Sequence, residues 1–317
     1  MKIVISILIS LTAIYFVLND VKLDELVYGF KAITPYQITL CAGFFFLNVF
    51  FRAVMWRTTT GYLGKTSLLN LFGGVVTGFL VNNFLPLKAG EFYRAYYLSK
   101  KTGFPVSSVL STVFVERAFD VLYLGVLLVI GLAFGIKGLT TNKAYAVLVV
   151  ASVFFLAGVL TLYYLNDLMA AIKRRRLLPE RLFVLLEEFV HPLMQIRGLS
   201  TLFVLVIIAM FSWGCLYFSL LSLLCGLDVA IFKATLLVLL FTSLGIIIPS
   251  SPGAIGVIQI AFWMALLPFG VSKEHALALS FAYQGIYYLF TIVFGLPFVL
   301  GLNFTKDQIG EATNVCQ

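Results

Sequence analysis

The chain has 317 residues, 61% of them hydrophobic and only 11% charged, against roughly 25% charged in soluble domains. That composition excludes a water-soluble globule. With 31 Phe, 15 Tyr and a net charge of +8, nearly every window of about 20 residues is apolar enough to form a helical bilayer span. The runs are continuous rather than alternating, so the expected fold class is all-α, a polytopic helical membrane protein and not a closed barrel.

In chain order, the apolar runs predict about eight spans, near 3–18, 38–56, 68–87, 106–136, 144–165, 200–226, 231–248 and 276–302. The first, after Lys2, resembles a signal peptide. Asn19-Asp20 follows it without a small-residue cleavage motif, so it reads as a retained helix. Two further segments fit no simple span. Segment 88–100 is too charged to cross lipid alone, and 249–268 opens with Pro249-Ser250-Ser251-Pro252-Gly253, which cannot continue a helix. Both read as re-entrant halves. If 68–100 dips in and returns, Lys2, Arg57, Lys65, Lys100, Lys101, Lys173-Arg174-Arg175-Arg176, Arg181 and Arg197 all fall on the cytoplasmic side. Lys22, Lys31, Lys137 and Lys143 are left outside. The longest polar stretch, 166–199, pairs a basic run with Leu182, Phe183, Leu185, Leu186 and Phe189 at helical spacing. It reads as an interfacial helix or as a topology determinant alone. Residues 1–317 are expected to form a single integral membrane domain, with 166–199 between its halves and no room for a soluble catalytic domain.

Polar residues inside spans need a reason, because a charge at a helix centre costs roughly 2.5–3.5 kcal/mol. Glu116, Arg117 and Asp120 lie some ten residues inside the 106–136 run, and Glu116 and Asp120 are about 40° apart on a helical wheel. They form either a buried ion triad that fixes helix packing or the lining of a polar cavity. Asn82, Asn83, Pro86, Lys88, Gly90, Glu91 and Arg94 mark the end of one helix and the start of another. Either a half-helix beginning near Ala89, flanked by Lys88 and Arg94, offers the free amides and dipole end that suit a phosphate, or Glu91 and Arg94 pair with each other as a surface bridge. Ser250, Ser251, Gly253 and Gln259 follow a second break, with Pro86, Pro249, Pro252 and Gly256 as hinges. Interrupted helices at matching places in two halves point to a transporter site and an inverted pseudo-repeat, or else are two unrelated kinks. Tyr283, Gln284, Tyr287 and Tyr288 on the last span face either the cavity or the headgroup belt. Cys41, Cys215, Cys225 and Cys316 with His191 and His275 make no metal or disulfide pattern, and no nucleophile motif is present. No cofactor, no metal and no nucleic-acid partner is expected.

Three motifs resemble the lysylphosphatidylglycerol synthase transmembrane, or flippase-like, family of prokaryotic membrane proteins. Asn-x-x-Leu-Pro-x-x-x-Gly-Glu-x-x-Arg falls on Asn82 or Asn83, then Leu85, Pro86, Gly90, Glu91 and Arg94. Glu-Arg-x-x-Asp falls on Glu116, Arg117 and Asp120, and Pro-x-x-Pro-Gly-x-x-Gly on Pro249, Pro252, Gly253 and Gly256. The family commonly has a Glu where Gln259 stands, and a second Gly where Ala254 stands. The resemblance implies a helical bundle with re-entrant segments and a lipid-handling cavity, and the Lys and Arg bias adds the expectation of a cytoplasmic-membrane protein with its N-terminus inside. Some members carry a cytosolic aminoacyl-transferase domain, which this sequence is expected to lack. The expected function is translocation of a phosphate-bearing lipid, a phospholipid or polyprenyl-phosphate-linked glycolipid. The alternative is a non-transporting anchor for a lipid-modifying glycosyltransferase; an intramembrane transferase using Glu116 or Glu91 as base is the least supported.

Overall fold

The computed structural model describes residues 21–85, 88–135, 164–165, 167–175, 178–196, 198–247 and 252–314. The expected span 3–18, nearly all of 144–165, Pro86, Pro249, Ser250, Ser251 and the basic residues Lys2, Lys137, Lys143, Arg176 and Arg197 lie outside them. The described residues are helical, with no strand among them. In order they are α1 (Leu23–Lys31), α2 (Pro35–Thr60), α3 (Leu68–Phe84), α4 (Ala89–Thr102), α5 (Val106–Ala133), α6 (Glu180–Gln195), α7 (Leu199–Leu224), α8 (Ile231–Ile247), α9 (Val257–Leu266) and α10 (Lys273–Asn314). Segments α2, α7 and Lys273–Gly301 of α10 are long and apolar enough to span a bilayer, and α3 and α8 are shorter apolar helices. The 28 residues of α5 would also suffice in length, but Glu116, Arg117 and Asp120 sit at its centre.

Local signals start the helices where the sequence places them. Thr34 and Gln37 cap α2 reciprocally ahead of Pro35, and Ser67 Oγ accepts from Asn70 N–H at the start of α3. Antiparallel α2 and α7 form the backbone of the bundle, and small polar residues zip them together. Ser219 Oγ donates to the Cys41 carbonyl at 2.8 Å, and Asn48 Nδ2 donates to Ser212 O and Oγ at 2.8 and 2.9 Å. Gln37 Nε2 reaches the Leu223 and Cys225 carbonyls at one end, while Tyr62 and Thr201 share a 2.7 Å hydroxyl bond at the other. In a bilayer, where hydrophobic burial cannot drive helix association, such small and polar contacts supply the specificity.

These contacts define two ends. At one lie Lys22, Lys31, the start of α2 and the chain turns around 225–231 and 266–273; the Lys22 amide reaches Glu274 there. At the other lie Arg57, Lys65, Lys100, Lys101 and α6, whose Glu188 bonds Ser107 and Ser108 at the base of α5. The α3–α4 hairpin opens toward the second end, because Gly64 packs against the Phe104 ring across its base. The α8–α9 hairpin opens toward the first, since Tyr217 OH bonds the Phe232 carbonyl at 3.0 Å there. Their tips meet beside the middle of α10, where Asn83 Nδ2 donates to Thr291 Oγ1 at 2.7 Å and Gln284 Nε2 donates to the Gly253 carbonyl at 2.7 Å. The two hairpins are thus inverted relative to one another.

The 166–199 stretch is helical over 167–175 and in α6. Phe183, Leu186 and Phe189 pack with Leu165, Met169 and Val190, whereas Leu182 and Leu185 are exposed. The arrangement predicts that single cysteines replacing Lys65 and Lys100, in a background without native cysteines, label with a membrane-impermeant maleimide from one side. A cysteine replacing Lys31 labels from the opposite side. Lys100 labelling from the Lys31 side would refute the returning hairpin.

Candidate functional site

The charged residues of α2, α4 and α5 converge where the α3–α4 hairpin tip enters the bundle. Arg94 on α4, only 2% exposed, lies 2.6 Å from Glu116 and 2.8 Å from Glu91, with its guanidinium 5.1 Å over the Trp56 ring. Arg52 on α2 grips Asp120 with two nitrogens at 3.1 and 3.3 Å and approaches Glu116 at 3.8 Å. Arg117 contributes Nη1 alone, 2.8 Å from Asp120 and 3.8 Å from Glu91. Trp213 Nε1 donates to Asp120 at 3.2 Å from α7, and Trp56 Nε1 donates to Thr112 at 2.8 Å. Three guanidinium groups therefore meet three carboxylates, and the network is neutral in itself. Lys88 lies within electrostatic range of Glu91, Arg117 and Asp120, and adds one positive charge.

The network has an inner and an outer part. Glu116 is fully buried and Arg94 nearly so, while the Arg117 side chain is 32% exposed. Several buried atoms, among them Arg117 Nε and Nη2, both Glu116 oxygens and all three Arg94 nitrogens, have no hydrogen-bond partner among the described residues. Arg94 and Glu116 face each other as ion pairs, but the Nε–Nη2 edge of Arg117 faces no carboxylate in the set. Such an edge presents two parallel donors, the geometry that suits a carboxylate or phosphate.

Backbone constraints hold this cluster. Lys88 takes a left-handed conformation at φ 56°, uncommon for a residue with a side chain. The Gly90 N–H donates to Asn82 Oδ1 at 2.8 Å, so the start of α4 is closed by a side chain of α3. A Cβ on Gly90 would fall 1.9 Å from the Gly78 carbonyl, so the hairpin arms touch backbone to backbone. At the other tip Ala254 is also left-handed, at φ 55°, and a Cβ on Gly253 would fall 1.7 Å from Tyr288 OH. Gln259 accepts from the Gly256 N–H and donates to Gln284, both at 2.7 Å. Gln284 in turn reaches Gly253 O and, at 3.3 Å, Tyr288 OH.

The structure thus brings Glu91, Arg94, Glu116, Arg117 and Asp120 together, with Lys88 beside them, while Asn82 and Asn83 act on the hairpin tip. Gly253, Gly256 and Gln259 form a separate amide cluster around Gln284. Arg94, expected beside an anion, is engaged by two carboxylates, and Arg52 was not singled out from the sequence. The lone cation inside the apolar run Phe50-Phe51-Arg52-Ala53-Val54 was the signal for it.

Residues 3–295 match the family described as Lysylphosphatidylglycerol synthase TM region. The chain belongs to this family. Among its relatives is the UPF0104 membrane protein MJ1078 of Methanocaldococcus jannaschii, 26% identical over 73% of this chain and 98% of that protein. The UPF0104 membrane protein MJ1595 of the same organism is 30% identical over 38% of this chain and 36% of that protein. The charged cluster and both hairpins lie inside the matched region, and the protein is an integral helical membrane protein.

Two stability predictions follow from burial and space. Glu116→Gln, which strands Arg94 and weakens the hold on Arg52, should cost about 3–5 kcal/mol. Arg117→Gln, at a partly exposed position, should cost clearly less in the same denaturation assay in detergent. Gly90→Ala should lower stability by about 3 kcal/mol or prevent assembly altogether, whereas Gly285→Ala, with nothing within 4 Å of the added carbon, should be tolerated.

Proposed function

We propose that the protein moves a lipid with an anionic phosphate headgroup between the leaflets of a prokaryotic cytoplasmic membrane, and that it is a transporter-like protein and not an enzyme. The observation that carries this reading is the buried, unpartnered Nε–Nη2 edge of Arg117 beside the extra positive charge of Lys88. A phosphate there would accept two donors from Arg117 and face Lys88, while Asp120 and Glu91 keep Nη1 in place. The headgroup would occupy the hairpin junction while its acyl or prenyl tails stay in the bilayer. Release would need the outer carboxylates to reclaim Arg117, and Glu91 and Asp120 are already in reach at 3.8 and 2.8 Å.

The inverted hairpins support this reading, since they open toward opposite ends of the bundle and their tips meet on α10. In it the hairpins are re-entrant, the basic end faces the cytoplasm, and the first span brings the N-terminus to that same side. The amide cluster of Gln259 and Gln284 holds the second tip, and a neutral amide there gives that tip a hydrogen-bonding role rather than a charge.

The test is leaflet exchange in liposomes carrying the purified protein, with fluorescent phosphatidylglycerol in one set and a polyprenyl-phosphate sugar in another. Arg117→Gln should slow exchange by about tenfold or more, as for loss of charged hydrogen bonds of 1.5–3 kcal/mol. Arg117→Lys should restore it only in part, because an ammonium lacks the paired edge. Unchanged exchange in Arg117→Gln at equal protein content would overturn the site. No exchange of either lipid, with a glycosyltransferase co-purifying in fixed ratio, would favour a membrane anchor for that enzyme.

A further inference from the structure

A second basic feature lies away from the charged network, at the end of the bundle where Lys65, Lys100, Lys101 and α6 gather. The loop from α2 to α3 and the last turn of α2 enclose a half-open cavity of about 270 Å³, lined by Arg57, Gly61, Gly64, Lys65 and Thr66. Arg57 and Lys65 are exposed, and among the described residues neither makes an ion pair with a carboxylate. Thr66 Oγ1 is buried in the wall and has no hydrogen-bond partner among the described residues. A buried hydroxyl left unpaired costs about 1–3 kcal/mol, so the loop carries an unfilled donor next to two cations and no acidic lining residue.

The loop is shaped for this cavity rather than left slack. Gly64 takes φ 149°, and a Cβ there would lie 2.8 Å from the Phe104 ring, which backs the loop from the base of α4. The Gly61 N–H bonds the Arg57 carbonyl at 2.9 Å, closing the turn, and the Tyr62 hydroxyl pins its far side to Thr201 at 2.7 Å. Ser67 follows as the cap of the 17-residue α3 and fixes where the loop ends. Two cations, an unsatisfied hydroxyl and no acidic lining residue together select a compact anion rich in acceptor oxygens.

We propose that this cavity binds a phosphate monoester, through Arg57, Lys65 and Thr66 Oγ1. Its position at the basic end, away from Arg52, Arg94 and Arg117, makes it a separate site from the proposed translocation path. The phosphate has two sources, the headgroup of an anionic lipid such as phosphatidic acid or a soluble phosphate ester.

The experiment is binding to the purified full-length protein in detergent micelles, with phosphatidic acid doped into the micelles in one arm and glycerol 3-phosphate in solution in the other. Saturation in the first arm alone assigns a lipid headgroup, and saturation in both assigns the free ester as well. Arg57→Gln with Lys65→Gln should weaken binding by about twenty-five-fold, since each cation near an anionic surface is worth roughly a factor of five. Thr66→Val should weaken it several-fold without loss of charge. Lys100→Gln with Lys101→Gln, equally basic and at the same end but outside the cavity, should leave it unchanged. Equal losses in the two double variants would show a diffuse basic surface and overturn the site, as would saturation in neither arm. Leaflet exchange by Arg57→Gln with Lys65→Gln, measured alongside, separates this site from the network, because failure of the translocation reading leaves the binding result untouched.

Discussion

Everything in the centre of this molecule depends on pairing charge with charge at a depth where water is scarce. Three arginines and three carboxylates come from three helices, the consecutive α4 and α5 and the earlier α2, and no pair among them is complete by itself. Arg94 needs both Glu91 and Glu116, Asp120 needs Arg52, Arg117 and Trp213, and Glu116 sits between two guanidinium groups. Removing one member leaves a buried charge alone, which is more costly than never having had the pair. The helices therefore hold a common register: α2, α4 and α5 cannot slide without opposing like charges. The zipper of small polar residues along α2 and α7 supplies the straight rail against which that register is set.

The hairpins translate this register into a barrier with two sides. Each is a pair of short helices joined at a tip where ordinary helix geometry fails, at left-handed Lys88 in one and left-handed Ala254 in the other. Strained conformations of this kind persist only where surrounding structure dictates them. Here Asn82, Asn83 and Thr291 dictate the first tip, and Gln259, Gln284 and Tyr288 the second. Glycine would adopt the left-handed conformation of Ala254 at no steric cost, so this chain bears a strain at its second tip that a glycine would remove.

Much of this was legible in the sequence because the bilayer makes polar residues conspicuous. The helices near 38–56, 68–87, 106–136, 200–226, 231–248 and 276–302 and both interrupted segments followed from apolar runs broken by Pro, Gly or charge, the Glu116–Arg117–Asp120 trio from charges within one such run, and the family from three motifs. The positive residues placed the returning hairpin with Lys65 and Lys100 at one end, as the structure does. Partnership was less legible. Arg52 belongs to an apolar run sixty-odd residues from its acceptors, and nothing local says which carboxylate an intramembrane cation will meet. Glu91 and Arg94, an ordinary surface pair by spacing, became buried because Gly78 and Gly90 let α3 press against α4, a tertiary fact invisible to helical periodicity. The closure of the α4 start by Asn82 is of the same kind, a contact across a turn whose shape the sequence leaves open.

The neutrality of the six-charge network also bears on how the protein meets the membrane potential. A unit charge crossing the full field gains or loses about 2.3 kcal/mol per 100 mV, enough to bias a moving part that carries net charge. Three positive and three negative groups displaced together do no electrical work. With Lys88 counted, the site is left with one unit of positive charge, and a singly ionised phosphodiester would cancel it. Under the proposed function the loaded site is then close to neutral, so the voltage acts on the return of the unloaded, positive site rather than on the loaded step, and the net transfer of an anionic headgroup still carries its full electrical work.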